Sequence, residues 1–196
     1  MNIQNTCEKI LKELKTDPQQ EITEGDSFPK EYLYTLRLVG WLKKINPSPS
    51  DELLIAAHGQ HLYRWRIPRS TYPMDRGGYL MWRKKLLRLH ADETAKILSE
   101  DGFSEAFINR VRQLILKDNL TVDAEVQCLE DAINLSFIQY YMMPFAPKYE
   151  KPKLLDITLK VLRKMTPEAI QTAMTISMPD SQRELITEAL QILGQE

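Results

Sequence analysis

Apolar residues recur at helical spacing along almost the whole chain, and this periodicity restricts the fold more than any other feature. The first amphipathic helix, which ends near Lys15, is marked by five such residues: Ile3, Cys7, Ile10, Leu11 and Leu14. Most of the 7 glycines and 11 prolines fall between the periodic segments. No sustained alternation of apolar and polar residues, the pattern of a half-buried strand, is present. The sequence therefore predicts an all-α fold, a single compact bundle of about eight or nine helices.

Helix caps and helix breakers set the expected boundaries. Pro29 begins a second helix after a polar connector over residues 16–28, and Ser48-Pro49-Ser50-Asp51 begins a third that ends near residue 63. An ordered loop is expected over residues 66–78. The remaining helices are predicted at 79–100, from Ser104 onward, at 124–141, and at about 150–164, 167–176 and 180–193. We expect one domain over residues 1–196, with residues 166–196 as a packing extension.

Composition excludes several classes of protein. The 196 residues carry a formal net charge of -1, and Cys7 and Cys128 are the only cysteines, which excludes a disulfide scaffold and a Cys-rich zinc module. No apolar run approaches the roughly 18 residues of a membrane helix, and the first residues lack the layout of a signal peptide. We therefore expect a cytoplasmic protein with no membrane partner. The sequence does not predict the oligomeric state.

All three histidines lie within one-sixth of the chain: His58, His61 and His90. The first two are three residues apart on one helical turn, and His90 and Glu93 repeat this spacing. Glu130 and Asp131 interrupt an otherwise apolar helix, where an unpaired carboxylate is costly. Imidazole nitrogens and carboxylate oxygens are the ligands of zinc, iron or manganese. The alternative is that each of these groups is a hydrogen-bonded part of the core.

A strongly basic segment, with eight cations and one acid between Arg64 and His90, adjoins these histidines. Aromatic residues are interleaved with the cations. Guanidinium groups bind phosphate or carboxylate through paired hydrogen bonds, and aromatic faces stack on bases. The candidate substrate-binding residues are Arg64, Arg69, Arg76, Arg83, Tyr72 and Trp82. The alternatives are arginines that cap helices or pair with neighbouring acids, and nucleic acid as the partner of the same surface.

Three sequence runs indicate a family. The run from Ala56 to Trp65 reads Ala-Ala-His-Gly-Gln-His-Leu-Tyr-Arg-Trp, and Tyr-Pro-Met-Asp-Arg occupies residues 72–76. With Leu-Glu-Asp-Ala at 129–132, these runs resemble the family known as domain of unknown function 4202. The resemblance covers about residues 7–165 and implies no activity.

The helix order also resembles, more distantly, the HD superfamily of metal-dependent phosphohydrolases. This resemblance implies an HD-like helical bundle in which a divalent metal (Mn, Fe, Zn or Mg) is held by three matching residues: His61, His90 and Asp131. The motif is degenerate, because Leu62 stands where the superfamily has a metal-binding Asp, and Tyr32 or Tyr34 stands near its first His. By geometry, Glu93 or His58 would complete the metal's ligand set.

These observations predict an HD-like, metal-dependent hydrolase that acts on a phosphorylated or nucleotide-like small molecule. Its expected catalytic residues are His61, Glu130 and Asp131. The metal would make hydroxide available near neutral pH, and the arginines would hold the phosphate. One alternative is a degenerate HD-fold module that binds a nucleotide, an anionic partner or RNA without catalysis. Another is a metal-free proton-transfer enzyme that uses His61 and Glu130.

Overall fold

Helices dominate the computed structural model, which describes residues 2–195. The all-α prediction is confirmed, with one small two-stranded sheet as the exception among these residues. Backbone contacts divide the chain into two compact units, Met1–Val126 and Gln127–Glu196. The expectation of one domain over residues 1–196 therefore stays a prediction, and each unit is described separately below.

The first unit contains five complete helices, the sheet and the start of a sixth helix. Its elements are α1 (Ile3–Leu14), β1 (Gln20–Thr23), β2 (Asp26–Pro29), α2 (Lys30–Ile45), α3 (Asp51–Gly59), α4 (Arg76–Glu100), α5 (Glu105–Leu116) and the first residues of α6 (Ala124–Ser136). Of two short 3-10 turns, Arg69–Thr71 lies within the predicted loop and Arg64–Arg66 lies at its start. Helix α3 ends at Gly59, four residues before the predicted end near residue 63. The helix starts predicted at Ser48-Pro49-Ser50-Asp51 and at Ser104 are confirmed, since Ser50 and Ser104 accept backbone N–H groups of α3 and α5 respectively.

The expected connector over residues 16–28 contains a β-hairpin, which corrects the sequence interpretation. Gln20 pairs with Pro29 and Thr23 with Asp26. The two turn residues, Glu24 and Gly25, have φ values of 53° and 91°, which match the twist of a tight hairpin. Strands of four residues are too short to produce a recognisable alternation, so the periodicity argument could not detect them.

The hairpin fixes the start of α2 through the buried carboxylate of Asp17. This carboxylate accepts the backbone N–H of Gln19 at 2.9 Å and that of Glu31 at 3.0 Å. Because Asp17 is only 2% exposed, both bonds are shielded from water. The residues on either side of the hairpin are therefore held at a defined distance, and Glu31 occupies a fixed position in the first turn of α2.

The core of the first unit surrounds α3, which contacts α1, α2, α4 and α5. Leu53, Ile55 and Leu114 are fully buried there. A Cβ added at Gly59 would lie 2.3 Å from Thr94 Oγ1, so a glycine is needed where α3 approaches α4. This close approach brings the turn that follows α3, residues 60–63, against the middle of α4.

The second unit continues α6 and ends in three helices. Its further elements are a π-helical turn (Phe137–Tyr141), α7 (Met142–Phe145), a 3-10 turn (Ala146–Lys148), α8 (Lys151–Leu162), α9 (Pro167–Met174) and α10 (Asp180–Leu193). The three predicted C-terminal helices are thus confirmed. Thr166 caps α9 by accepting the Ala169 N–H. Within residues 2–195, no helix has both the length and the apolar character that crossing a bilayer requires.

Candidate functional site

A buried carboxylate–imidazole pair lies where α2 begins and the turn after α3 passes. His61 Nδ1 is 2.6 Å from Glu31 Oε2. The Glu31 side chain is 7% exposed and that of His61 is 16% exposed. An ionised carboxylate only accepts hydrogen bonds, so Nδ1–H donates and the lone pair of the neutral ring resides on Nε2. His61 therefore has one nitrogen bound to Glu31 and the other available to a ligand.

Sequence reasoning missed Glu31. An acid in the first turn of a helix is an ordinary feature that the helix dipole favours, so its presence there carried no functional signal. Glu31 and His61 are 30 positions apart, and no motif spacing connects them. The contact results from the hairpin and from Asp17, which the sequence analysis did not predict.

Two further side chains hold this pair in place. The Tyr34 ring stacks on the His61 ring, with centroids 3.8 Å apart and planes inclined by 8°. Arg64 Nε lies 3.4 Å from Glu31 Oε1, and the Arg64 guanidinium lies over the Trp82 ring at 4.8 Å. The plane of the imidazole and the orientation of the carboxylate are thus both fixed before any ligand binds.

His90 presents a second imidazole lone pair, and this one is buried. Its Nδ1 donates to the Leu62 carbonyl oxygen at 2.7 Å, so its Nε2 carries no proton when the ring is neutral. His90 is 1% exposed, and its Nε2 has no hydrogen-bond partner among the residues that the structure describes. The His61 and His90 ring centroids are 5.8 Å apart. A buried acceptor without a partner is costly, which points to a ligand or water at this position.

Burial and positive charge keep both imidazoles neutral. Burial lowers the pKa of His61 well below its usual value, and the cations around it lower that pKa further: Arg64, Arg83, Lys117 and Lys30. Burial, followed by the neighbouring His61, lowers the pKa of His90 to about 3. Burial raises the pKa of the Glu31 carboxyl, and Arg64 opposes that rise. Both histidines are therefore bases or ligands at neutral pH rather than proton donors.

Arg83 is a half-buried cation on α4 with no protein partner. It makes no hydrogen bond or ion pair with any residue in the described range 2–195. Its positive charge lowers the pKa of Arg64 as well as that of His61, because these groups lie near one another. Partly desolvated like charges repel, so an anion bound between Arg64 and Arg83 would relieve this repulsion.

The other predicted substrate-binding residues have structural contacts or are exposed. Arg69 donates to the carbonyl oxygens of Tyr72, Pro73 and Asp75, which fixes the loop before α4. Trp82 is 8% exposed, and its Nε1–H donates to a backbone carbonyl oxygen. Tyr72 is half-buried and contributes its carbonyl to the Arg69 contact. Arg76 is exposed at the first position of α4.

Two of the predicted metal ligands in the first unit have other partners. His58 Nδ1 donates to the Leu54 carbonyl oxygen at 2.8 Å, within its own helix, and burial lowers its pKa. Glu93 Oε1 lies 3.7 Å from the Arg66 guanidinium. Among the described residues, neither His58 nor Glu93 forms a hydrogen bond, ion pair or ring contact with His61 or His90.

Glu130 and Asp131 belong to the second unit, where each has a structural contact. Asp131 accepts the Thr166 N–H at 3.0 Å and the Thr166 hydroxyl at 2.8 Å, and Gln127 Nε2 donates to it at 3.1 Å. Asp131 therefore ties α6 to the cap of α9. Burial raises its pKa, and the Thr166 hydrogen bonds oppose that rise. Lys164 Nζ lies 3.3 Å from Glu130 Oε1.

Within residues 2–195, no group of three or more His, Cys, Asp or Glu side chains is arranged to hold a metal ion. His61 and His90 still have the donor set that metal-binding histidines show. In such sites one ring nitrogen binds the metal and the other donates to a carboxylate or a carbonyl oxygen. Glu31 accepts from one ring and the Leu62 carbonyl accepts from the other. Each ring therefore has the hydrogen-bonding arrangement of a metal-binding histidine.

Comparison with known proteins matches most of the chain to one family. Residues 4–186 match the model of a family described as a domain of unknown function, DUF4202. No curated protein and no solved structure matches the chain.

Proposed function

The chain belongs to the DUF4202 family, and we propose that it is a hydrolase of a small phosphorylated, nucleotide-like ligand with its active site at His61. The observation that carries the proposal is the site's combination of groups. The His61 and His90 ring centroids lie 5.8 Å apart, and His90 Nε2 is buried without a hydrogen-bond partner among the described residues. Cations outnumber carboxylates around His61. We also propose a cytoplasmic location, where Cys7 and Cys128, which form no disulfide with each other, would stay reduced.

The charge distribution supports an anionic substrate. Arg64 and Arg83 lie near His61, and Glu31 is the one acid in hydrogen-bonding contact with His61 among the described residues. Because Glu31 already pairs with His61 and Arg64, Arg83 has no acid to neutralise it. A phosphate group supplies the missing negative charge and can accept several N–H groups at once.

The proposed chemistry is attack of water on phosphorus. His61 Nε2 takes the proton of the attacking water while a new P–O bond forms and the ester P–O bond breaks. Glu31 orients the ring through Nδ1–H and stabilises the imidazolium that forms. Arg64 and Arg83 stabilise the charge that develops on the phosphate oxygens. The leaving oxygen then takes the proton from the His61 imidazolium, which regenerates the neutral ring.

A divalent metal is the proposed cofactor, and His61 and His90 would hold it through Nε2. With the metal bound, His61 would be a ligand and not the proton acceptor, because its Nδ1–H is bonded to Glu31 and only Nε2 has a lone pair. When bound, such a metal lowers the pKa of a coordinated water towards neutrality. The distant HD resemblance supports the same two positions. Asp131, Glu93 and His58, the other predicted ligands, have other partners in the structure, so the proposal does not depend on them.

Phosphate release from a substrate panel tests the proposed function. The full chain, purified without a histidine tag, is incubated with phosphomonoesters, phosphodiesters and nucleotides after metal removal and again with Mn, Zn, Fe or Mg ions. We expect release from at least one substrate class, with metal stimulation that His90→Ala removes. No release under any condition, together with a metal-independent rise in melting temperature on nucleotide addition, would replace the hydrolase with a binding module.

A further inference from the structure

Four exposed large hydrophobic residues cluster at the start of α4. They are Met74, 80% exposed, Leu80, 56% exposed, Met81, 55% exposed, and Tyr79, 45% exposed. We call residues 74–88, the end of the loop and the first turns of α4, the basic tip. Scattered exposed apolar residues are ordinary, but a contiguous group of them marks an interaction surface.

Unpaired cations surround these apolar side chains. The cations are all exposed and make no ion pair with any residue that the structure describes: Arg76, Lys84, Lys85 and Arg88. At 3.6 residues per turn they fall on the same half of the helix as Leu80 and Met81. Asp75 is the one acid of the basic tip. It caps α4 by accepting the Gly78 N–H at 2.7 Å. The tip therefore combines exposed aliphatic groups with positive charge that nothing neutralises.

This combination disfavours two kinds of macromolecular partner. Nucleic acid binding uses several exposed aromatic faces, but the basic tip offers one, Tyr79, since Trp82 is only 8% exposed. Met74, Leu80 and Met81 would stay in water against a phosphate backbone. Protein interfaces are depleted of lysine, yet Lys84 and Lys85 adjoin the apolar residues. Anionic lipid matches both features, because aliphatic side chains enter the boundary between headgroups and acyl chains while cations contact the headgroups.

We propose that the basic tip docks the protein on an anionic lipid surface. Met74, Leu80 and Met81 insert at the headgroup boundary, and Arg76, Lys84, Lys85 and Arg88 contact phosphate or carboxylate groups of the lipids. The expectation of no membrane partner rested on the absence of a spanning run, whereas the exposure of these side chains is a property of the fold. The proposal rests on the surface alone and not on the hydrolase activity.

Co-sedimentation with vesicles tests the docking surface. The full chain is titrated with vesicles of phosphatidylcholine alone and with vesicles that contain phosphatidylserine as a fifth of the lipid. We expect binding to the anionic vesicles only, and weaker binding as salt rises. Leu80→Ser/Met81→Ser and Lys84→Glu/Lys85→Glu should each weaken binding about tenfold or more.

Two matched variants serve as controls, because they change the same kinds of exposed side chain elsewhere. Ile22→Ser removes an apolar residue that is 77% exposed, and Lys96→Glu reverses an exposed cation nearer the end of α4. Both should bind vesicles as the wild type does. Equal binding by all variants, no sedimentation with anionic vesicles, or RNA binding that depends on the same residues without vesicle binding would overturn the proposal.

Discussion

Replacement of His61 by alanine is expected to reduce phosphate release by about 100-fold or more while the protein stays folded. The substitution removes the Nε2 lone pair, which is the proton acceptor of the reaction without a metal and a metal ligand when a metal is bound. Folding should survive because Glu31 keeps Arg64 at 3.4 Å as a partner, so we expect to lose about 1–3 kcal/mol of stability. Steady-state kinetics with circular dichroism and thermal unfolding measure both effects.

Chemical rescue separates a catalytic role of His61 from a structural one. Free imidazole added to His61→Ala can occupy the vacated space beside Glu31 and Tyr34 and should restore part of the lost rate. Rescue would leave the melting temperature largely unchanged, since the missing ring is a small part of the packing. A His61→Ala protein that hydrolyses at the wild-type rate would rule out His61 as the reacting group.

Replacement of Arg83 by alanine is expected to lower kcat/KM for a phosphorylated substrate about 10- to 100-fold without loss of stability. Charge-assisted hydrogen bonds to phosphate are strong, and Arg83 makes no competing bond to any described residue. Because its removal also relieves repulsion with Arg64, the melting temperature should stay constant or rise. Lower activity together with unchanged or higher stability is the behaviour expected of a residue that binds ligand at the expense of stability.

The neighbouring residue provides the matched control for Arg83. Lys84→Ala removes a cation at the next position of α4, where the side chain is exposed rather than half-buried. Its kcat/KM for a soluble substrate should equal the wild-type value. If Arg83→Ala and Lys84→Ala lose activity equally, the effect is one of overall charge, and Arg83 is no specific ligand for phosphate.

Local sequence signals predicted the helices well because they act within a few residues. The caps Ser50, Ser104 and Thr166 each bond to an N–H three residues later, so their sequence positions identify the helix starts. The hairpin was not predicted because its two strands are short and the only turn signal between them in the sequence is Glu24-Gly25. Secondary structure was thus predictable wherever a hydrogen bond between residues close in sequence determines where a helix begins.

The site was less predictable, because its contacts join distant parts of the chain. The sequence predicted Asp131 as a carboxylate that would act with His61. In the structure, Glu31 forms the hydrogen bond to His61, and Thr166 donates a hydrogen bond to Asp131. The four nominated arginines look alike in the sequence. Only the fold shows that Arg69 bonds to backbone carbonyls while Arg83 stays unpaired near His61.

The pH–rate profile of Glu31→Gln, compared with that of the wild type, tests the Glu31–His61 pair most directly. Glutamine keeps the size of the side chain and an oxygen that can accept the His61 Nδ1–H, but it removes the charge. Because burial lowers the pKa of His61 well below its usual value, the wild-type rate should be flat through neutral pH and fall only in acid.

In Glu31→Gln we expect kcat to fall about 10- to 100-fold. The acidic limb should also move to lower pH, because the anion that stabilises the imidazolium is gone. Circular dichroism should show an unchanged fold. A Glu31→Gln protein with the wild-type rate and the wild-type pH profile would contradict the account, since the buried pair would then be structural and the chemistry would lie elsewhere.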